Sequence, residues 1–368
     1  MDASIKIKDV TRYLEEWAPL SYQESYDNSG LITGDLSTVI QGVLVTLDCT
    51  EDVVQEAIAS GCNLIIAHHP ILFRGIKKLT GSNYVERTII KAIKHDIAIY
   101  AIHTNLDNVH TGVNKKICDK IGLHNIRILS PKPDTLNKLI TFIPTEYAGQ
   151  VTAALYAAGA GQIGEYKNCS FQSEGVGTFL PTEATDPYIG ERNKQTLVNE
   201  IRVEMIFPAH LKKKLLNTLK EAHPYEEVAY YISPLLNENQ EVGTGMIGDL
   251  STPMEPLDFL RSLKNSMDLT VIRHTALPPR KIQKIAVCGG SGSFLLPKAI
   301  QAGADIFITA DVKYHEFFDA DGQITIADIG HYESEVFTKE LIMDVLMKKF
   351  HTFAIIFSKT QTNPTSYI

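Results

Sequence analysis

The sequence predicts an α/β protein built from two similar halves, with an inserted α+β module between them. Three observations lead to this prediction. Short β-rich segments alternate with amphipathic segments in the outer parts of the chain. Two of these outer segments resemble each other, and the middle of the chain has a different pattern. The predicted first half covers residues 1–130, the insert 131–236 and the second half 237–368, and the two halves form one domain.

In the first half, the alternation starts at residue 40 and continues to residue 108. Gly61 is expected to end the first helix, because glycine adopts the left-handed conformation at little cost. The predicted elements are a strand at 40–48, a helix at 49–61, a buried strand at 62–70, a helix at 83–96 and a buried strand from 97. Strands that alternate with helices indicate a parallel or mixed sheet covered by helices.

The second half repeats the first. Ile40–Pro70 aligns without a gap on Ile282–Val312, and both segments share an Ile-Gln start, an Ala-Ile pair and a helix-ending glycine. A shorter similarity relates Ser29–Thr38 to Thr244–Thr252. Because the helix-ending glycine stays in register, duplication explains the match better than chance similarity between strand–helix–strand units.

The middle segment carries two strand–helix–strand units, which predict a ferredoxin-like module. The predicted elements are a strand at 138–144, a helix at 145–160, a glycine-punctuated β region at 170–181, a strand at 199–208, a helix at 209–223 and a strand at 226–235. Turn-forming residues flank the segment on both sides. An insertion between two halves of one domain is the simplest explanation.

Composition excludes several classes of protein. The net charge of −8, the pI near 5.9 and the lack of a basic run argue against a dedicated nucleic-acid binder. No apolar stretch approaches the roughly 18 residues of a membrane span, and the N-terminus lacks a signal-peptide core. The five cysteines are scattered and form no CxxC motif, which indicates a reducing compartment, the cytoplasm.

Histidines and carboxylates follow the predicted strands. His68 and His69 end one buried strand, and Asp107 follows the next. In the second half, the corresponding strand is followed by His331 and Glu335, whose spacing places them on one face of a helix start. Related strand ends should converge on one crevice. Three histidines and two carboxylates without cysteine suit Zn, Mn, Fe or Co, and five ligands favour two ions.

Other residues near the same strand ends are weaker candidates. His103 and His315 are candidate catalytic residues, as proton carriers. Asp311 aligns with His69, so the second half has lost a histidine at that position. The loop Cys288–Ser293 is either a phosphate-binding loop or a tight structural turn.

Several of these motifs resemble the Nif-three-like family, also called GTP cyclohydrolase 1 type 2 homologues. The motifs are AHHP at 67–70, HTNLD at 103–107 and HYESE at 331–335, with SYDNSGLITGD, CGGSGS and TADVKYHE in support. The middle segment is similar to the PII-like insert of a bacterial subset of the family. The resemblance implies a toroidal homohexamer with a dinuclear metal site, whose ligands would be His68, His69, Asp107, His331 and Glu335.

Two functions remain open. The first is a hydrolase that uses two divalent ions and acts on a small molecule of the nucleotide or phosphoester class, either by opening the ring of GTP, as the family label implies, or by hydrolysing a phosphoester. The second is a metal-binding regulatory or scaffolding protein without enzymatic activity, whose insert senses a ligand.

Overall fold

The computed structural model describes residues 4–368 and divides the chain into two compact units. Unit 2 is the continuous segment Lys132–Asn239, and unit 1 contains the described residues on either side of it. Unit 2 overlaps the segment 131–236 that the sequence predicts as an insert.

Strands and helices alternate along unit 1, and both kinds of element are present in unit 2. The strands are β1 (Gly30–Thr33), β2 (Gly42–Thr46), β3 (Leu64–Ala67), β4 (Ala98–Ala101), β5 (His124–Pro131), β6 (Leu136–Pro144), β7 (Phe171–Phe179), β8 (Thr196–Pro208), β9 (Tyr230–Pro234), β10 (Gly243–Met254), β11 (Arg273–His274), β12 (Ile282–Ser291), β13 (Ile306–Ala310), β14 (Thr325–Asp328) and β15 (Ala354–Phe357). The α-helices are α1 (Ile7–Trp17), α2 (Glu51–Ala59), α3 (Tyr84–Lys94), α4 (Thr104–Asp107), α5 (Val113–Lys120), α6 (Ala148–Ala158), α7 (Lys212–Ala222), α8 (Pro256–Ser266), α9 (Leu296–Gln301), α10 (His331–Glu335) and α11 (Thr338–Met347).

Unit 1 contains two mixed sheets, which confirms the predicted α/β class. The first has the order β1-β4-β3-β2-β15 and the second β11-β14-β13-β12-β10-β5. Strands β2, β3 and β4 run parallel, as do β12, β13 and β14. Every residue of β3 and β13 is buried, because helices cover both faces of a parallel sheet. Gly61 and Gly303 have φ of +68° and +71° just after their helices, as predicted.

The three parallel strands correspond between the halves, but the flanking strands do not. The predicted equivalence of Ser29–Thr38 and Thr244–Thr252 is wrong: β1 pairs with β4, whereas β10 lies between β12 and β5. The two-residue strand β11, beside β14, occupies the place that β1 takes beside β4. β1 is a four-residue edge strand, whereas β10 has twelve residues and lies inside its sheet, so the two similar segments form strands with different neighbours.

One apolar cluster extends through both halves of unit 1. It includes Leu14 of the first helix, Ile66 and Tyr100 of the first sheet, and Ile285 and Ile308 of the second sheet, all at most 1% exposed. The two halves therefore share a core, as expected of a single domain.

Unit 2 is a four-stranded antiparallel sheet with the order β7-β8-β6-β9. Helix α6 follows β6 and α7 follows β8, which gives the order βαββαβ. Residues on one face of the sheet, among them Leu139, Val203 and Phe207, form a buried cluster with Val151 of α6 and Leu215 of α7. The two helices therefore cover one face of the sheet, and alternate residues point to the opposite face.

No helix among the described residues is both long enough and apolar enough to cross a membrane.

Candidate metal centre

The carboxyl ends of the parallel strands in unit 1 bring five predicted ligands together. Strand β3 ends directly before His68 and His69, and β4 leads through His103 into α4, whose last residue is Asp107. In the second half, the short helix α10 begins at His331 and ends at Glu335, the helix start that the spacing predicts. Sequence positions from both halves therefore meet in one crevice of unit 1.

Their ligand atoms form two groups that share Glu335, and a third group joins His68 and His69 to His103. In one group, His68 Nε2 is 3.5 Å from Asp107 Oδ1 and 4.0 Å from Glu335 Oε1. In the other group, Glu335 Oε2 is 2.9 Å from His69 Nε2 and 3.1 Å from His331 Nε2. All ligand atoms within each group lie within 4.8 Å of one another, a spacing suited to a metal ion. Glu335 therefore offers one carboxylate oxygen to each of the two groups that share it.

Two buried atoms of this centre have no hydrogen-bond partner, and both suit a metal ion. The Nδ1–H of His68 donates to the carbonyl of Ile102 at 2.8 Å, which leaves a lone pair on Nε2. That Nε2 and Oδ1 of Asp107 are among the few buried side-chain atoms without a partner in the described chain. Burial lowers the pKa of His68 to about 3, so its imidazole is neutral, the form that binds metal. Unpartnered buried polar atoms are costly, and a bound cation removes that cost.

In His69 and His331, the ring nitrogen that does not contact Glu335 is hydrogen-bonded to a second carboxylate. Nδ1 of His69 lies 2.7 Å from Asp48, and Nδ1 of His331 lies 2.7 Å from Asp311. Asp48 also accepts a hydrogen bond from Thr362 at 2.7 Å. Carboxylates in this position orient metal-binding histidines and raise their basicity. The sequence analysis missed Asp48, although its position directly after a parallel strand, like that of His68, was an available signal.

Carboxylate partners favour the cationic form of the two histidines beside Glu335. Burial opposes protonation of His69, but hydrogen bonds to Asp48 and Glu335 outweigh it and raise its pKa to about 10. The pKa of His331 rises to about 9 for the same reason, with Asp311 as the second partner. Burial favours the neutral acid of Glu335, yet these two histidines hold its pKa well below the usual value.

The pKa of Asp107 shifts in the opposite direction to that of Glu335. The burial of Asp107 and the charge of Glu335 raise its pKa well above the usual value. A raised pKa means that Asp107 tends to keep its proton, and a nearby divalent cation would favour the ionised carboxylate.

The Cys288–Ser293 loop packs against Glu335 and does not have the features of a phosphate-binding loop. Gly290 has φ of +62°, and a Cβ there would lie 2.3 Å from Glu335 Oε1, so only glycine fits. Backbone N–H groups of the loop already donate to side chains, from Gly290 to Ser334 and from Gly292 to Thr309. Of the two alternatives, the structure supports the tight turn.

The two predicted proton carriers lie in different places. The imidazole of His103 is 5.4 Å from the rings of both His68 and His69, measured between centroids, and its Nδ1 lies 2.7 Å from Asp27. The side chain of Asp27 is fully buried, and hydrogen bonds from His103 and Thr104 overcome its burial and lower its pKa. His315, by contrast, is exposed, packs against Tyr314 and does not line the cavity, so the structure gives it no place in this centre.

A cavity of about 1090 Å³ opens above the five ligands. Aromatic side chains surround it, and Arg273, which pairs with Asp328, is its one Lys or Arg residue among those described. The aromatic residues are Tyr26, Phe73, Tyr84, Phe294, Tyr332 and Tyr367. The C-terminal segment 362–367 forms part of the wall. The cavity is large enough for a drug-sized or nucleotide-sized molecule.

Comparison with known proteins identifies the family of this chain. The family model of Duf34/NIF3 (NGG1p interacting factor 3) matches residues 5–364. Among curated relatives, proteins named GTP cyclohydrolase 1 type 2 homolog are 40% identical in Halalkalibacterium halodurans, with 98% of each chain covered, and 38% identical in Bacillus subtilis, with 100% of each covered. Among solved structures, a Bacillus cereus protein related to NIF3 has a TM-score of 0.88 at 36% identity, with 100% of both chains covered. The chain therefore belongs to the Duf34/NIF3 family.

Proposed function

We propose that this protein is a hydrolase that uses two divalent metal ions held by His68, His69, Asp107, His331 and Glu335. The observation that carries the proposal is the pair of buried, unpartnered atoms, His68 Nε2 and Asp107 Oδ1, beside a carboxylate shared between two ligand groups. Five nitrogen and oxygen ligands without a thiolate suit Zn, Mn, Fe or Co.

The residues around the metal ions would have separate roles in catalysis. When bound, the ions would polarise a substrate oxygen and lower the pKa of a water. Glu335 would keep the two ions close together, and Asp48 and Asp311 would orient the histidines that bind them. His103, held by Asp27 at Nδ1, presents its other nitrogen to the cavity and would carry a proton to or from the reacting group.

The cavity wall supports a nucleotide as substrate. Exposed aromatic rings at its rim, such as Phe73, Phe294 and Tyr367, offer flat surfaces on which a base can stack. Arg273 and the ions would attract phosphate groups. The names of the relatives point to the opening of the GTP imidazole ring by attack of water at C8 with release of formate, and the same centre suits hydrolysis of a phosphoester.

The cellular location and the oligomeric state of the protein are further proposals, and both are based on the sequence. We propose a cytoplasmic protein that assembles as a homohexameric toroid, as the family resemblance implies. The net charge of −8 supports a small-molecule substrate over nucleic acid.

Metal analysis combined with a hydrolysis screen tests the proposal. The purified full chain would be loaded with each candidate metal, analysed for bound ions, and assayed with GTP, other nucleotides and phosphoesters. Glu335→Gln should lose both ions and all turnover, whereas His351→Ala, which changes an exposed histidine outside the cavity, should keep both. Turnover that survives Glu335→Gln, or a chain that binds no metal under any loading condition, would refute the proposal.

A regulatory protein is the second candidate, and the observation that favours it is a separate cavity in unit 2. Two bound ions per chain, with no turnover of any substrate in the screen, would support this alternative over the hydrolase.

A further inference from the structure

Unit 2 contains a cavity of about 660 Å³ that plays no part in the metal centre. It lies on the sheet face opposite α6 and α7. Phe142, Glu200 and Arg202 line it, and they alternate with residues such as Val203 that point toward the helices. Residues 180–189, together with 225–229, form its other walls.

Glycine in strand β7 keeps the floor of this cavity open. Gly175 pairs with Glu200 of β8, so a side chain there would project on the same face as Glu200. A Cβ at Gly175 would meet no atom within 4 Å, and one at Gly177 would lie 2.1 Å from the Glu200 carboxylate. Glycine in a strand interior weakens the sheet and often marks a close approach of another group.

Aromatic rings form much of the cavity wall, and four of them meet in edge-to-face pairs. The centroids of Phe142 and Tyr231 are 6.0 Å apart with ring planes at 85°, and those of Phe179 and Tyr225 are 5.9 Å apart at 62°. Tyr188 adds a further ring. Several ring faces and edges around one space resemble the arrangement that binds organic ammonium ions through cation–π attraction.

The charges of the lining are mainly negative. Three carboxylates line the cavity, those of Glu200, Glu226 and Glu227, whereas Glu174 pairs with Ile201 on the helix-covered face. Glu200 is only 8% exposed and is held in place by the Tyr225 hydroxyl, which donates to it at 3.0 Å. The single lining cation, Arg202, is paired at 2.8 Å with Glu204, a residue outside the lining. The potential inside the cavity therefore favours a cation and disfavours a phosphate.

We propose that this cavity binds an organic ammonium cation with an apolar or aromatic body. The apolar body would contact the rings, and the positive charge would lie near Glu200 and the neighbouring carboxylates. The proposal goes beyond the hydrolase function, because it concerns a second ligand class at residues of unit 2 alone. It also predicts that the insert does not bind nucleotides, whose phosphates the carboxylates would repel.

Calorimetric titration of the intact chain tests the proposal with defined probes. The cations are phenyltrimethylammonium and choline, 3,3-dimethylbutan-1-ol is the uncharged isostere of choline, and ATP is the anionic probe. We expect choline to bind at least about tenfold more tightly than its uncharged isostere, because charge supplies the cation–π and carboxylate attraction. Equal affinity of the two, no binding of either cation, or tighter binding of ATP at this cavity would overturn the proposal.

Variants of unit 2 test whether the cation binds in this cavity. Gly175→Val should abolish cation binding by filling the floor, at a position where valine suits a strand. Gln172→Val is the matched control in the same strand, since Gln172 pairs with Val203 and belongs to the helix-covered face. Glu227→Gln should weaken cation binding several-fold without filling space. Unchanged binding in Gly175→Val, with native secondary structure by circular dichroism, would refute the assignment.

Discussion

Replacement of Asp48 by Asn tests whether the ligand histidines depend on their carboxylate partners. Asp48 lies 2.7 Å from Nδ1 of His69, and its other oxygen is held by Thr362. Asn keeps the shape and one acceptor oxygen but loses the charge that makes the imidazole a stronger ligand. Loss of such a partner weakens metal affinity roughly 10–100-fold, or about 1.4–2.7 kcal/mol.

The effect should be confined to one of the two ions. Of the two groups that share Glu335, the one with His331 includes His69, whereas the one with His68 and Asp107 does not. Titration against a chromophoric chelator should therefore show one weakened and one unchanged site in Asp48→Asn. The control is Asp52→Asn, an exposed carboxylate on α2. Equal weakening of both ions, or no weakening of either, would refute the inferred division of the ligands.

Three further predictions concern protons, catalysis and backbone geometry. Because the pKa values of His69 and His331 are about 10 and 9, metal binding at pH 7 should displace about two protons per chain, so affinity should rise with pH up to about 10; calorimetry in buffers of different ionisation enthalpy measures this. Unchanged heats across buffers would contradict it. His103→Ala should retain both ions but lower turnover about 10²–10⁴-fold in steady-state assays; full turnover would exclude proton transfer by this residue. Gly290→Ala should lose its bound metal, which elemental analysis measures. Gly303→Ala, with no atom within 4 Å of its Cβ, should only lower the free energy of unfolding, by about 1–2 kcal/mol in urea unfolding.

Periodicity and the internal repeat predicted the fold well where the signal was local. The segments around β2, α2 and β3 were predicted because buried parallel strands are continuous apolar runs and because glycine marks the end of a helix. The similarity between Ser29–Thr38 and Thr244–Thr252 wrongly predicted equivalent strands. Which neighbours a strand pairs with depends on tertiary packing, and no local pattern encodes it.

In the candidate site, too, some features were predictable from the sequence and others were not. The position of His68, His69 and Asp107 after parallel strands predicted that they would meet, and the structure brings them together with residues of the second half. The roles of Asp48 and His315 depend on tertiary structure: one aspartate orients a histidine 21 positions away, and one histidine near a strand end points to solvent.

The cavity of unit 2 had no counterpart in the sequence analysis. Its carboxylates and rings come from separate strands and loops, and their register across β7 and β8 brings them to one face.

The sequence by itself determined the α/β class, the repeated strand–helix units and the residue types available to bind metal, because these depend on local periodicity and side-chain chemistry. Tertiary structure alone decided that Glu335 is shared between two ligand groups and that a second carboxylate is hydrogen-bonded to each of His69 and His331. It also decided that buried atoms of His68 and Asp107 lack protein partners. Such properties are distances and burial between residues far apart in the chain, and they arise only when the two halves pack around one core.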